Sequence, residues 1–189
     1  MKEVTKRLVI GISGASGVIL GIRLLEVLSS IQIETHLVLT TSAKEIIKRE
    51  TQWKIKDILA LADSTYENDD IGAVLASGSF ETIGMVVIPC SIKTLSAIAN
   101  SYTADLLSRA ADVTLKEGRH LVLVVRESPF TYGHLRLMTL ATRSGAIIYP
   151  PVIAFYTDPK TVGDIIDNIV GRVLKRVGIE NTLFKEWRG

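Results

Sequence analysis

The 189 residues are 47% apolar and 22% charged with a net charge of +2, enough for one domain with a full core but too little charge for a strong field toward nucleic acid or a membrane surface. A single cysteine, Cys90, excludes an internal disulfide framework and fits a reducing compartment. No apolar run reaches the ~18 residues of a membrane span, and Met1-Lys-Glu-Val-Thr-Lys-Arg7 lacks a secretory pattern, so a cytoplasmic protein is expected.

The first predicted element is an apolar strand, Leu8 to Ile12, running into Gly11-Ile-Ser-Gly-Ala-Ser-Gly17 and a helix from about Val18 to Ser30. Small residues at a strand-to-helix turn let the backbone approach a ligand, and the amides at the helix start face an anion with the dipole behind them. The spacing Gly-x-x-Gly-x-x-Gly is not the dinucleotide fingerprint, and a plain tight turn would also fit it. Ser13 and Ser16 favour a phosphate loop, because they add hydroxyl donors that a plain turn does not need.

His36-Leu-Val-Leu39 reads as a second buried strand ending in Thr40-Thr-Ser42, where a helix can be capped. A helix from Ala43 to about Glu50 follows, then a short one from Ile55 to Ala62. Ser64 to Asp70 is turn-like, with Tyr66 a candidate for a short edge strand, and Ala76-Ser-Gly-Ser79 is a loop. Met85 to Cys90 is a buried strand expected to stop at Pro89, and Ser91 opens a helix through Leu95 and Ile98. Ala104 to Glu117 is helical, with Gly118 as its cap glycine. Leu121 to Val125 is the most apolar strand and delivers Arg126-Glu127 at its end. A helix from Leu135 to Ser144 and a short strand from Ala146 to Tyr149 precede Pro150-Pro151. Thr161 and Asp164 resemble a capping box for the last helix, which ends near Val177. Leu183, Phe184 and Trp187 form an apolar tail.

Strands without polar alternation, separated by helices, imply an α/β fold with a parallel sheet covered on both faces. Ligands of such sheets sit beyond the carboxyl ends of the strands. Gly14-Ala-Ser16, Thr40, Pro89-Cys-Ser91 and Arg126-Glu127 should therefore converge on one pocket. Ser16, Thr40, Ser91 and Thr94 can donate to phosphate oxygens there, and Arg126 can grip an anion at two points. Arg109, Lys116 and Arg172 lie on helices within conceivable reach of an anion, although most helical Lys and Arg are solvated surface. Glu50 and Glu127 are acid–base candidates, Glu50 by itself reading more as a surface helix residue. Cys90 reads as a small buried residue, and His36, His120 and His134 are poor catalytic candidates. No cluster has metal-ligand spacing, so no metal is expected. A nicotinamide dinucleotide wants an acid at the end of the second strand; Thr40-Thr41-Ser42 there favours a second phosphate or a mononucleotide such as FMN.

Gly14-Ala-Ser-Gly17, Ala76-Ser-Gly-Ser79, Pro89-Cys-Ser-Ile-Lys-Thr-Leu-Ser96, Arg109-Ala-Ala-Asp112, Leu115-Lys-Glu117 and Val125-Arg-Glu-Ser-Pro129 together resemble the UbiX-type flavin prenyltransferases, from about Leu8 to Trp187. The resemblance implies a three-layer αβα, Rossmann-like and flavodoxin-like parallel sheet, one flavoprotein domain over residues 1–189, and a homododecamer with active sites at subunit contacts. It implies transfer of a dimethylallyl group from dimethylallyl phosphate to N5 and C6 of reduced FMN. The product, prenylated FMN, would be the cofactor of a UbiD-type decarboxylase in ubiquinone biosynthesis or aromatic acid decarboxylation, with no metal needed. By the same resemblance Gly14, Ala15, Ser16, Thr40, Ser91, Ile92, Lys93, Thr94 and Arg126 hold FMN. Tyr156 and Arg172 hold dimethylallyl phosphate, and Arg109 and Lys116 add positive charge. Glu50 and Glu127 match the active-site carboxylates, and Ser16 the active-site serine. The chain departs from many relatives at Thr40-Thr41-Ser42, at Gly118, and in 71–75, which holds no aromatic residue. The alternatives are an FMN-binding aromatic acid decarboxylase subunit and a non-catalytic flavin carrier. A cysteine decarboxylase of the same fold is disfavoured by Pro89-Cys-Ser-Ile-Lys-Thr94 and by the absence of a suitably placed histidine.

Overall fold

The computed structural model describes residues 6–184, so Trp187 of the expected apolar tail lies outside the described residues. Strands β1 (Arg7–Ile12), β2 (Glu34–Leu39), β3 (Ser64–Glu67), β4 (Gly84–Cys90), β5 (His120–Val125) and β6 (Ile147–Ile148) form one parallel sheet in the order β3-β2-β1-β4-β5-β6. All seven residues of β4 are buried, as are five of six in β1, β2 and β5. That burial explains why these strands read as unbroken apolar runs: helices cover both faces.

The period-two alternation of a strand distributes these residues between two cores. Leu8, Ile10, Ile12, Leu37, Leu39, Val86, Ile88, Val122 and Val124 face a core shared with α1 (Val18–Leu28), α2 (Thr41–Glu50), the short α3 (Ile55–Leu59) and α7 (Val162–Arg176). Val9, Val38, Met85, Val87, Leu121, Leu123 and Val125 face the other, shared with α4 (Ile92–Ala99), α5 (Leu106–Lys116) and α6 (Tyr132–Arg143). The result is the expected three-layer α/β arrangement.

Several boundaries differ from the sequence reading for identifiable reasons. β4 continues through Pro89 to Cys90, because the missing proline N–H falls where the β4–β5 register shifts, between Val87 and Cys90. α6 starts at Tyr132, three residues before Leu135, because the Thr131 hydroxyl accepts from His134 N and caps the extra turn. α5 begins after Asp105, whose carboxylate accepts from Ser108 N. The capping box of Thr161 and Asp164 forms at the start of α7, and Thr40 caps α2. Tyr66 lies in an edge strand, β3. No helix among the described residues is long and apolar enough to cross a membrane.

With β1 lying between β2 and β4, the chain builds outward to β3 and then returns across β1 to continue on the other side. A crevice opens where such a reversal occurs, at the carboxyl ends of the strands. Here that is the junction of β1 and β4.

Candidate functional site

Backbone bonds extend the sheet past the strand ends and hold four of them in one row. Thr40 N donates to Ile12 O at 3.1 Å, Ser13 N to Pro89 O at 3.2 Å, and Arg126 N to Cys90 O at 3.1 Å. The ends of β2, β1, β4 and β5 thus form a continuous rim, which brings together the four strand ends expected to converge on one pocket. Ser13 locks the junction. Its side chain is fully buried, and its Oγ donates to Pro89 O at 2.9 Å while accepting from Ser91 N at 2.8 Å. Ser13 was expected to offer a hydroxyl to a ligand; the structure engages that hydroxyl internally and leaves Ser16, half-buried, as the accessible one.

Three helices begin at this rim, so three positive dipole ends point the same way. α1 follows Gly17, whose φ of +92° suits glycine, and no side chain of its own segment caps it. The Gly17 amide is instead bound by Glu50 Oε2 at 2.8 Å, reaching across from the end of α2. α2 is capped by Thr40, whose hydroxyl accepts from Ala43 N at 3.1 Å. α4 is capped by Ser91, whose Oγ accepts from Thr94 N at 3.2 Å and donates to Thr94 Oγ1 at 3.1 Å. Ile92 and Lys93 form the first turn of α4, and the Lys93 side chain is exposed. Gly14 lies so close to Ser42 that a Cβ there would collide with its side chain, which keeps the loop backbone low and its amides open. Arg126 is exposed at the end of β5, and half-buried Glu127 accepts from Ser128 N at 3.0 Å.

The remaining candidates form two further groups. Tyr156 and Arg172 meet at the β6 side, Arg172 Nη1 donating to Tyr156 Oη at 3.4 Å. Tyr149 lies beside them, its phenol pushed up by burial against the opposing pull of Arg172. Arg109 and Lys116 belong to α5. Arg109 Nε donates to Ala76 O at 3.2 Å and Nη1 pairs with Asp112 at 3.0 Å, while Lys116 Nζ pairs with Glu117. That pairing holds the Glu117 carboxyl below the usual range.

Lys116 cannot join the rim of its own chain. It ends the helix that leads into His120, the first residue of β5, so it sits at the amino-terminal edge of the sheet. Six residues of strand, about 20 Å at ~3.3 Å each, separate the two edges. One chain therefore assembles the phosphate-loop half of the predicted site and carries Lys116 at the opposite edge, while Arg109 lies near the start of α5, which is held by Asn68 just past the carboxyl end of β3. The sequence reading did not single out Arg119, whose Nη1 and Nη2 donate to Phe80 O and Gly78 O at 2.8 Å each. A basic residue following a cap glycine carries no local signal of such a role.

Cys90 is fully buried, and burial pushes its thiol well up, away from nucleophilic use. Among the described residues no group of three or more His, Cys, Asp or Glu could hold a metal ion. The donor set fits a phosphomonoester. Three helix starts, a low glycine loop, the Ser16 hydroxyl and Arg126 suit one phosphate, and Thr40 stands where a dinucleotide site wants an acid.

The fold and rim define a doubly wound α/β protein whose strand reversal suits a phosphorylated, nucleotide-like ligand. The model of the Flavoprotein family matches residues 1–174. Flavin prenyltransferase UbiX of Escherichia coli strain K12 is 54% identical over 187 residues, covering 97% of this chain and 99% of that one. A crystal structure of AnUbiX (PadA1) in complex with FMN and dimethylallyl pyrophosphate matches with a TM-score of 0.96 and 46% identity over 97% of this chain and 98% of that one. The dodecameric FMN-dependent UbiX-like decarboxylase from Escherichia coli O157:H7 matches with a TM-score of 0.94 and 46% identity over 97% of this chain and all of that one. The chain belongs to the UbiX-type flavin prenyltransferases.

Proposed function

We propose that this chain, a cytoplasmic flavoprotein domain over residues 1–189, joins the dimethylallyl group of dimethylallyl phosphate to reduced FMN and supplies the prenylated flavin to a UbiD-type decarboxylase. The observation that carries this reading is the rim, where three helix starts surround a glycine loop at the β1–β4 junction. Gly14, Ala15, Ser16, Thr40, Ser91, Ile92, Lys93, Thr94 and Arg126 hold FMN, and the similarity to the FMN-bound AnUbiX supports that assignment.

The allylic C–O bond breaks, phosphate departs with the electron pair, and flavin N5 takes the allylic carbon and gives up its proton; protonation of the remaining alkene then gives a tertiary cation that C6 attacks, C6 losing its own proton as the fourth ring closes. The chain contributes position and charge. Tyr156 and Arg172 hold the donor phosphate, and Arg109 and Lys116 add the positive charge that a departing dianion requires. Fixed cations need no reorganisation as the charge develops, and holding the two molecules face to face removes much of the remaining barrier. Ser16, Glu50 and Glu127 line the reacting face, and Glu50 steadies the loop through the Gly17 amide.

Assembly completes the site. Since Lys116 lies at the far edge of its own sheet, the Lys116 that serves a given rim comes from a neighbouring copy, within a homododecamer like that of the UbiX-like decarboxylase. Exposed Tyr132, Val152 and Phe155, each more than 70% accessible in the lone chain, supply the apolar surface that such contacts cover.

Anaerobic incubation with reduced FMN and dimethylallyl phosphate, followed by mass spectrometry of the extracted flavin, tests the reading. A gain of one C5 unit is expected, and it should disappear in Arg172→Ala and Glu127→Ala. Unmodified FMN with wild-type protein and either the mono- or the diphosphate donor would instead identify a carrier.

A further inference from the structure

A buried histidine in the amino-terminal half of the sheet is enclosed by aromatic and charged groups that the transfer reaction leaves unused. His36 on β2 is 2% exposed. Its Nδ1 lies 3.0 Å from Tyr66 Oη on β3. Its Nε2 lies 3.1 Å from Glu34 Oε1, close enough for an ion pair but poorly directed for a hydrogen bond. The imidazole meets the Phe80 ring edge-on with centroids 4.9 Å apart, and the Arg7 guanidinium from β1 sits 4.8 Å from the centre of that same ring. Arg7 also pairs with Glu34 at 3.0 Å, and Asp63, just before β3, adds a negative charge at longer range. Phe80 is thereby held between an imidazole and a guanidinium.

Phe80 closes the segment 76–80, and that segment supports both α5 cations. Ala76 O accepts from Arg109 Nε. Gly78 lies so close to α5 that a Cβ there would run into the Glu117 carboxylate and the Lys116 ammonium. Gly78 O and Phe80 O are both held by Arg119. The backbone between Ala76 and Phe80 is a platform on which the Arg109 and Lys116 side chains rest, and its anchor in the sheet is the Phe80 ring against His36.

We propose that His36 is a positioning residue: by holding Phe80 it fixes the 76–80 segment, and through that segment the direction in which Arg109 and Lys116 present their charge to the donor phosphate of a neighbouring copy's site. The proposal rests on the role given above to those two cations. A neutral imidazole suits the task, because one tautomer gives Nε2–H to the Glu34 side and lets Nδ1 accept from the Tyr66 hydroxyl. The charges that arrive at the phosphate are carried on long side chains, so a small shift of their support moves them far relative to the distances that matter for electrostatic stabilisation.

Steady-state prenylation kinetics on the assembled enzyme test this, with native oligomer size and FMN affinity measured for every variant. His36→Gln and Phe80→Leu should each raise KM for dimethylallyl phosphate by about three- to tenfold, with kcat and the FMN Kd within about twofold of wild type. Phe80→Tyr, which keeps the ring, should restore a wild-type KM. On a Lys116→Ala background, His36→Gln should add less than about twofold, because the two act through one group. An unchanged donor KM, or a fully multiplicative double variant, overturns the proposal, as does lost thermal stability with no donor-specific effect. If Lys116→Ala itself leaves the donor KM unchanged, the role assigned to Lys116 fails and this inference falls with it; if only the His36 and Phe80 variants are silent, the reading of Lys116 stands and the positioning role alone is lost. Tyr66→Phe removes one hydroxyl and little packing, so it serves if the other variants do not assemble: a KM rise of about twofold supports the role, and no rise overturns it.

Discussion

At the end of β1 the Ser13 hydroxyl is bonded on both sides with no access to solvent. Ser13→Ala leaves the Ser91 amide short of its partner and Pro89 O with only the Ser13 backbone N–H, at a cost of about 1–3 kcal/mol, and loosens the β1–β4 junction. Thermal unfolding should show the loss and an FMN titration a weaker affinity. His36 gives a pH dependence. Its imidazole is lowered from 6.5, chiefly because burial disfavours the charged form, with Glu34 pulling the other way. The unfolded chain then binds the proton more readily than the folded one, so this contribution to stability is complete above pH 6.5 and lost as the pH falls through the folded value. The melting temperature of wild type should drop on acidification below that pH, and less so for His36→Gln. Cys90 should resist thiol reagents in the native protein and react once the chain is unfolded, since burial holds its thiol protonated. The identities of the hydroxyls and carboxylates were legible in the sequence; their partners were not. Nothing local distinguishes Ser13, engaged inside, from Ser16, left accessible, or ties Glu50 to an amide 33 residues away.

Three helix starts surround the rim, and the legibility of a helix start depends on whether its cap uses a recognisable pattern. Thr161 with Asp164 is such a pattern, and α7 begins there. Thr161→Ala should cost about 1 kcal/mol and lower the melting temperature while leaving FMN affinity unchanged, since α7 starts away from the phosphate loop. Thr131 with His134 does the same for α6, but histidine at the third position is outside the usual signature, so the sequence pattern starts that helix only at Leu135. α1 is the instructive contrast. Gly17 at φ +92° stands where a capping side chain would be, which leaves the positive end of the helix to a ligand and to Glu50. Gly17→Ala forces a side chain into that left-handed conformation at a cost of about 1–2 kcal/mol. It should weaken FMN binding more than an equally destabilising change in α7, as paired FMN titrations and melts would reveal.

At the scale of the molecule, the unbroken apolar strands were enough to announce a covered parallel sheet, and the rule for such sheets located the rim. The same alternation of strand and helix also contains the less obvious fact: a helix joining two parallel strands must run back down, so the last turn of α5 has to lie opposite the rim. On the roles proposed above, Lys116 and Glu127 would therefore serve one site from two copies. Alone, Lys116→Ala should keep a small but measurable turnover and Glu127→Ala none. Co-assembled in equal amounts, they should recover about a quarter of wild-type turnover, the fraction of sites drawing both intact halves from random neighbours. Recovery of none would place both groups in one chain. The descent of α5 has a final consequence for the cell. On the roles proposed above, a newly made, unpartnered polypeptide would lack the Lys116 counter-charge for expelling phosphate, so alkylation would wait for a neighbouring copy and allylic donor would not be consumed by strays.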